Sequence, residues 1–402
     1  MTKNYQHILK VCRQNSTFTG TVIDNFLIHY AARTSKLAKE SKRRLQPFRH
    51  IIKDMPKEWR GMLTSQYIAH RIFKKGGLIR KYLNHSGLNV LSAKEKAFLG
   101  AQTKHPWRYS FASITDQPAP DFFEMRDILT EDRYLLYSPS ITSILLSETP
   151  LLWFNLIGFN GECWQTYGPI LHFNGFEPED IFFYANEANG DWYETGEEVM
   201  EDLEEKPIAF SMLIAGSNSP LTFHNEHQLV NNNALYKIDG AFNSELFRKN
   251  FLVEYNQGVY KLSLKEGGEF PHYSAAFYDE MDRMMYLFAM TDSGFRQLLD
   301  VLNHLGYTFS HTPDERVNVG MIATASNILK KEIKLNPYDH LFAKDSQPVE
   351  QPNLDQMNGL LGELIPYINN RETPDLDTLS AKYGVNPEKV KELYEMVKKK
   401  VE

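Results

Sequence analysis

The apolar period of this chain changes once, near Trp107, and that change limits the possible folds more than any composition figure. Before it the spacing is helical. Phe26, Tyr30 and Leu37 share a face, and Trp59, Met62, Leu63 and Tyr67 recur at i, i+3, i+4 and i+8 until Gly76-Gly77 ends the run. Ser92 followed by Glu95 is a capping box ahead of Phe98-Leu99. After Trp107 the pattern is that of strands, with aromatic and β-branched residues gathered at 109–114, 122–128, 134–137, 151–159 and 164–173. Turn formers at 116–118, 130–132 and 138–140 separate them, and Asn160-Gly161 is the best hairpin signal. Five short strands so close together predict a small curved sheet or partly closed barrel.

Residues 177–205 read as an acidic helical connector, with 194–205 presenting a solvated face. A second mixed unit follows. Strands are expected at 209–215 and 228–238, in a hairpin of 251–255 with 259–264, and in another of 275–278 with 284–290. Ser293 then caps a helix whose apolar face is Phe295, Leu298, Leu299, Leu302 and Leu305. A Pro- and polar-rich linker precedes a helical tail in which Pro366 should kink or end one helix, and Gly384 and Pro387 mark the turn between two short ones. The expected fold class is α+β and multidomain. A basic helical module occupies 1–104, and a barrel-like sheet unit with its acidic connector 105–205. An α+β unit covers 206–342, a linker 343–353, and a tail with a helix-turn-helix-like pair 354–402.

The net charge of −7 conceals a strong division. Residues 1–110 hold 22 Lys and Arg against five acids, a balance of +17, while the remainder holds 22 against 46, a balance of −24. A basic segment of this kind attracts phosphate polymers or an acidic protein surface, or else docks on the acidic remainder of its own chain or of a second copy. Arg43, Arg44, Arg49, Arg71, Lys74 and Lys75 are the candidate nucleic-acid contacts, because backbone binding needs only clustered cations.

Chemistry-bearing motifs are sparse. His224, His227 and His272 are the one histidine set with plausible metal spacing, the alternative being solvent-exposed loop histidines. Asp127, Glu131 and Asp132, and Asp279, Glu280 and Asp282, read as solvated hairpin tips. Trp107, Tyr109 and Phe111 fall on one side of a strand, as core or as a base-stacking platform, and core is preferred. Cys163 reads as a small core residue rather than a nucleophile. The terminal helix-turn-helix pattern opens its second helix with Glu388, so a structural or protein-docking pair is expected there rather than a DNA reader. No Gly-rich phosphate loop or Gly-x-Ser-x-Gly elbow occurs, and no cofactor is expected.

Residues 88–180 carry Leu91-Ser92-Ala93-Lys94-Glu95 with Phe98 and Ala101, then Phe123 to Thr130 and Tyr137-Ser138-Pro139-Ser140. This block, with the strand and helix over 284–305, resembles uncharacterised bacterial proteins that often carry a SEC-C zinc motif. The zinc motif itself is missing, since Cys12 and Cys163 are the only cysteines. The resemblance implies a bacterial cytoplasmic protein connected with nucleic-acid or translation-associated complexes. The start, Met1 to His7, lacks the apolar core of a signal peptide, and the most apolar stretch, 150–159, is shorter than the roughly 20 residues of a membrane helix. A cytoplasmic location without membrane contact is therefore expected. The preferred expectation is a non-enzymatic binding or regulatory protein that contacts nucleic acid through its N-terminal module. A metal-assisted hydrolase or nuclease and a self-assembling interaction module are the alternatives.

Overall fold

A computed structural model describes residues 4–398 except 191, 217–222, 225, 241, 267–268, 343–353, 370–373, 388–389, 392 and 395–397. The chain forms two compact units, Met1–Tyr338 and Asp339–Glu402. It is mixed α and β, as the two periods require.

The first unit opens with helices. α1 (Tyr5–Phe18) runs through a π-helical segment, Thr19–Leu27, into α2 (Ile28–Thr34). Lys36 then takes a left-handed conformation with φ 58°, which breaks the helix and redirects the chain into α3 (Leu37–Leu45). A 3-10 turn at Gln46–Phe48 leads to α4 (Arg49–Ile52), followed by α5 (Lys57–Phe73), α6 (Ile79–Leu83) and α7 (Ala93–Ala101). The Ser92–Glu95 capping box forms as the sequence indicates.

Five strands follow: β1 (Arg108–Ala119), β2 (Phe122–Asp127), β3 (Arg133–Tyr137), β4 (Leu152–Phe159) and β5 (Trp164–Phe173). They close a barrel in the order β1-β2-β3-β5-β4, with β1 paired to β4 and β3 parallel to β5. Between β3 and β4 the chain forms α8 (Pro139–Leu145). This order, the parallel closure and the intervening helix are the arrangement of an OB-type barrel, which by itself assigns no ligand. Two expected turns are corrected. Residues 116–118 belong to β1, which reaches Ala119 through irregular pairing with β2. Residues 138–140 start α8, because Pro139 sits in the first turn, where its missing N–H costs nothing.

Alternation gives the barrel two apolar surfaces. Phe123, Met125, Leu136, Trp153 and Ile157 fill it together with Ile141 of α8. Tyr109, Phe111, Phe154, Leu156 and Leu171 share an outer core with Leu63, Tyr67, Phe73 and other helical residues. β4 is consequently buried on both faces. Trp107, Tyr109 and Phe111 are core, at 4%, 2% and 0% exposure.

α9 (Pro178–Asn189), α10 (Gly196–Glu205) and α11 (Pro207–Ser211) come next, the last continuing into a 3-10 turn at Met212–Gly216. The strand expected at 209–215 is therefore helical. Its apolar run, interrupted only by Ser211, has no alternation to choose between periods, and Pro207 at the start favours the helix. After the two-residue strands β6 (Phe223–His224) and β7 (His227–Gln228), a sheet forms from β8 (Val230–Lys237), β9 (Phe251–Asn256), β10 (Val259–Leu264), β11 (Ser274–Asp279), β12 (Met284–Ala289) and, beyond α12 (Asp292–His304), β13 (Glu315–Asn318). Its order is β13-β8-β12-β11-β10-β9. Phe295, Leu298, Leu299 and Leu302 of α12 share a core with Leu262, Ala276, Met285 and Leu287 of the sheet. The cap of α12 is Thr291, whose hydroxyl accepts from the Gly294 amide, and not Ser293. α13 (Val319–Leu329) then returns to the first core through Met321, Ile322, Ala325 and Ile328.

In the second unit, α14 (Asp339–Phe342), α15 (Leu354–Asn369) and α16 (Leu376–Tyr383) are defined. Leu360, Leu364, Leu379, Val385, Val390 and Tyr394 form its core, and Gly384 caps α16 at φ 63°. α15 runs past Pro366 rather than ending there. The expected linker, 343–353, lies outside the described residues, as does part of the second helix of the helix-turn-helix-like pair. Among the described residues no helix is long and apolar enough to cross a membrane.

Candidate nucleic-acid interface

α3 carries its charge to solvent. Its one acid, Glu40, is taken inward: its Oε1 accepts from Tyr67 Oη at 2.7 Å and from Arg71 Nε at 3.0 Å. Burial, with Glu40 adding to it, pushes the Tyr67 hydroxyl up to about 12, so this phenol remains a donor. Lys36, Lys39, Lys42, Arg43 and Arg44 are left exposed, and among the described residues none of these five charged ends is in an ion pair. The last three lie in the final turn, where the helix dipole favours cations.

The structure separates the six candidate basic residues into two groups. Arg71 and Lys74 are used internally. Lys74 Nζ, 11% exposed, donates to the Glu204 carbonyl at 3.0 Å and to Glu205 Oε1 at 2.7 Å. That hydrogen bond holds the Glu205 carboxyl below its usual range, with Arg71 and Arg44 adding to the effect. Arg43, Arg44, Arg49 and Lys75 are exposed and, among the described residues, unpaired.

Arg43 and Arg44 also rim a pocket of about 410 Å³, into which Pro47 and Phe48, Tyr67 of α5, and Glu205, Lys206, Pro207 and Ile208 at the α10–α11 junction contribute. Two guanidinium groups thus border apolar and aromatic walls, beside the Glu205 carboxylate held by Lys74 and the Lys206 ammonium paired with Asp202 at 2.7 Å. The two guanidinium groups can neutralise phosphate while a planar group lies against the walls. The acidic run 194–205 is not simply a solvated face, since Val199 and Leu203 are core and Glu204 is bonded to His70 and to the Tyr109 amide.

The remaining candidates settle differently. His227 and His272 meet ring to ring at 4.5 Å, whereas His224 packs on Phe270 at 4.6 Å. His272 Nδ1 lies 2.8 Å from both the Thr291 and Ser293 hydroxyls. Among the described residues no group of three or more His, Cys, Asp or Glu is arranged to hold a metal ion. Asp127 is buried rather than a solvated tip: it accepts from Arg108 Nη1 at 2.9 Å, from Ser110 Oγ at 2.6 Å and from the Leu129 amide at 3.0 Å. Asp279 caps its turn by accepting from the Met281 amide.

Compared with family models, with curated proteins and with solved structures, the chain has no match in any of the three.

Proposed function

We propose that this protein binds nucleic acid non-enzymatically, with the α3 surface as the contact to the phosphate backbone. The observation that carries the reading is the division of the basic residues. Arg71 and Lys74 are consumed by Glu40, Glu204 and Glu205, while Lys36 and the four cations of α3 keep their charged ends in solvent without an ion pair among the described residues, Arg44 acting on Glu205 only through its field. Unpaired cations along one helix neutralise phosphates and release counterions, which makes affinity fall with salt. The pocket beside Arg43 and Arg44 adds apolar walls against which an unstacked base of a single strand can lie. The barrel's strand order adds a fold-level analogy only.

The test is fluorescence anisotropy with labelled single-stranded and duplex oligonucleotides over a salt series. Binding that weakens steeply with salt and is lost in the Arg43→Glu, Arg44→Glu double variant supports the reading. Unchanged affinity in that variant overturns it. Sedimentation in parallel distinguishes self-assembly, because association of copies through the same charges would dissociate at high salt without any oligonucleotide.

A further inference from the structure

Cys12 and Cys163 stand 151 residues apart in sequence, yet their sulfurs are 3.3 Å apart, and both are free and buried. Cys12 lies on α1 and Cys163 in the hairpin between β4 and β5. One hydrogen-bond network fixes both sides of the contact, with Asn160 Nδ2 donating to Gln165 Oε1 at 2.8 Å between them. Asn160 Oδ1 accepts from the Glu162 and Cys163 amides at 2.9 Å each, which sets the hairpin tip. Gln165 Nε2 donates to the Cys12 carbonyl at 3.2 Å, and Asn15 Nδ2 donates to Gln165 Oε1 at 2.9 Å, which sets α1. Ile8 and Cys12 then share a small apolar cluster with Phe122, Tyr137 and Cys163.

We propose that Cys12 and Cys163 are a redox modification site, a thiol pair that a small-molecule disulfide of the glutathione type converts to an intramolecular disulfide, clasping α1 to the barrel. A disulfide needs the sulfurs at roughly 2.05 Å, so from 3.3 Å the two sulfurs have little more than about 1 Å to close. The surroundings also distinguish the two sulfurs. Asn160 Nδ2 donates to Cys12 Sγ at 3.3 Å and stands farther, at 3.7 Å, from Cys163 Sγ. The contact between the two thiols, in which either sulfur can donate, together with the Asn160 amide draws the Cys12 thiol below its usual range, and the same contact raises Cys163. Cys12 is the attacking thiolate and Cys163 the resolving thiol.

The chemistry balances in two exchanges. Cys12 thiolate attacks one sulfur of the small disulfide, whose S–S bond breaks and releases one thiolate, leaving a mixed disulfide on Cys12. Cys163 gives its proton to solvent and attacks Cys12 Sγ, expelling the second small thiolate. Two protein thiols are oxidised by two electrons, and one small disulfide is reduced to two thiols. Because both sulfurs are buried, the first exchange requires the start of α1 to lift, so its rate follows local opening of that helix.

The experiment exposes the full chain to oxidised glutathione, alkylates remaining thiols in denaturant, and maps the peptides by mass. The expected result is a linked Cys12–Cys163 peptide pair, two hydrogens lighter than the reduced pair and reversed by dithiothreitol, with a raised melting temperature of the oxidised protein. Cys163→Ser should instead trap glutathione on Cys12. Should that variant fail to fold, the wild-type peptide map decides alone. Both thiols alkylated after treatment that oxidises a reference dithiol, or glutathione adducts and inter-chain links in place of the internal pair, would overturn the proposal.

Discussion

Glu204 joins three elements through one carboxylate: its Oε2 lies 2.6 Å from His70 Nε2, and its Oε1 accepts the Tyr109 amide at 2.8 Å. His70 is fully buried on α5 and Tyr109 begins the barrel's outer wall, so α10 is pinned to both the helical module and β1. Part of the charge division in the sequence is thus an internal connection. Glu204→Ala strands a buried imidazole nitrogen and a backbone N–H, and should lower stability by about 2–4 kcal/mol. Urea denaturation measures it, and a loss below the scatter of surface substitutions would remove Glu204 from this role.

The two groups of cations predict different phenotypes. Lys74→Ala removes the bonds to Glu204 and Glu205 and should cost about 1–2 kcal/mol of stability. Oligonucleotide affinity of the folded protein should fall far less than in the Arg43, Arg44 double variant, since Lys74 reaches the pocket only through Glu205. Arg43→Glu with Arg44→Glu should abolish binding while lowering stability by about 1–2 kcal/mol through the reversed charges at the end of α3. An equal loss of affinity in the two variants would contradict the division.

Asp180 predicts a pH dependence of stability. It is 2% exposed and accepts the Glu177 amide at 2.8 Å and the Asn318 amide at 2.7 Å, tying α9 to β13. Burial pushes its carboxyl up to about 7 against the pull of those two donors. The native state therefore keeps a proton that the unfolded chain gives up near pH 4 (~3.9 unperturbed), and stability falls as pH rises from there to about 7, then levels. Asp180→Asn should lower stability overall, since one amide oxygen replaces two acceptors, and should flatten this slope. Urea midpoints at several pH values between those limits provide the check.

Gly158 on β4 leaves room for the Trp107 ring. A Cβ there would stand 2.5 Å from Trp107 Nε1, which donates to Gln102 at 2.9 Å, while the ring stacks on Phe73 at 4.4 Å. Gly158→Ala should destabilise by about 1–3 kcal/mol through overpacking and alter the tryptophan emission. Unaltered emission together with a wild-type melting temperature would refute the contact.

What the chain discloses locally it discloses well, and what depends on distant partners it hides. The five barrel strands follow from runs of aromatic and β-branched residues and from Asn160-Gly161, because both signals are confined to neighbouring residues. Pro139 and Pro207 begin helices where turns or strands are expected, since proline marks a helix start and a turn equally well. Charge points to Arg43 and Arg44, but not to Tyr67, Glu205 and Ile208 beside them, which reach the pocket from other helices. The Cys12–Cys163 approach has no local signature, because the barrel's closure alone brings the hairpin to α1.

The core shared by α5, the barrel and α13 sets a timetable for the growing chain. Phe73 and Ile328 belong to one cluster, yet the ribosome makes them far apart in time, roughly 10–50 s at ordinary elongation rates. During that interval the apolar faces of the first helices emerge without their final cover. The yield of native protein in a cell should therefore respond to chaperones that shield nascent helices.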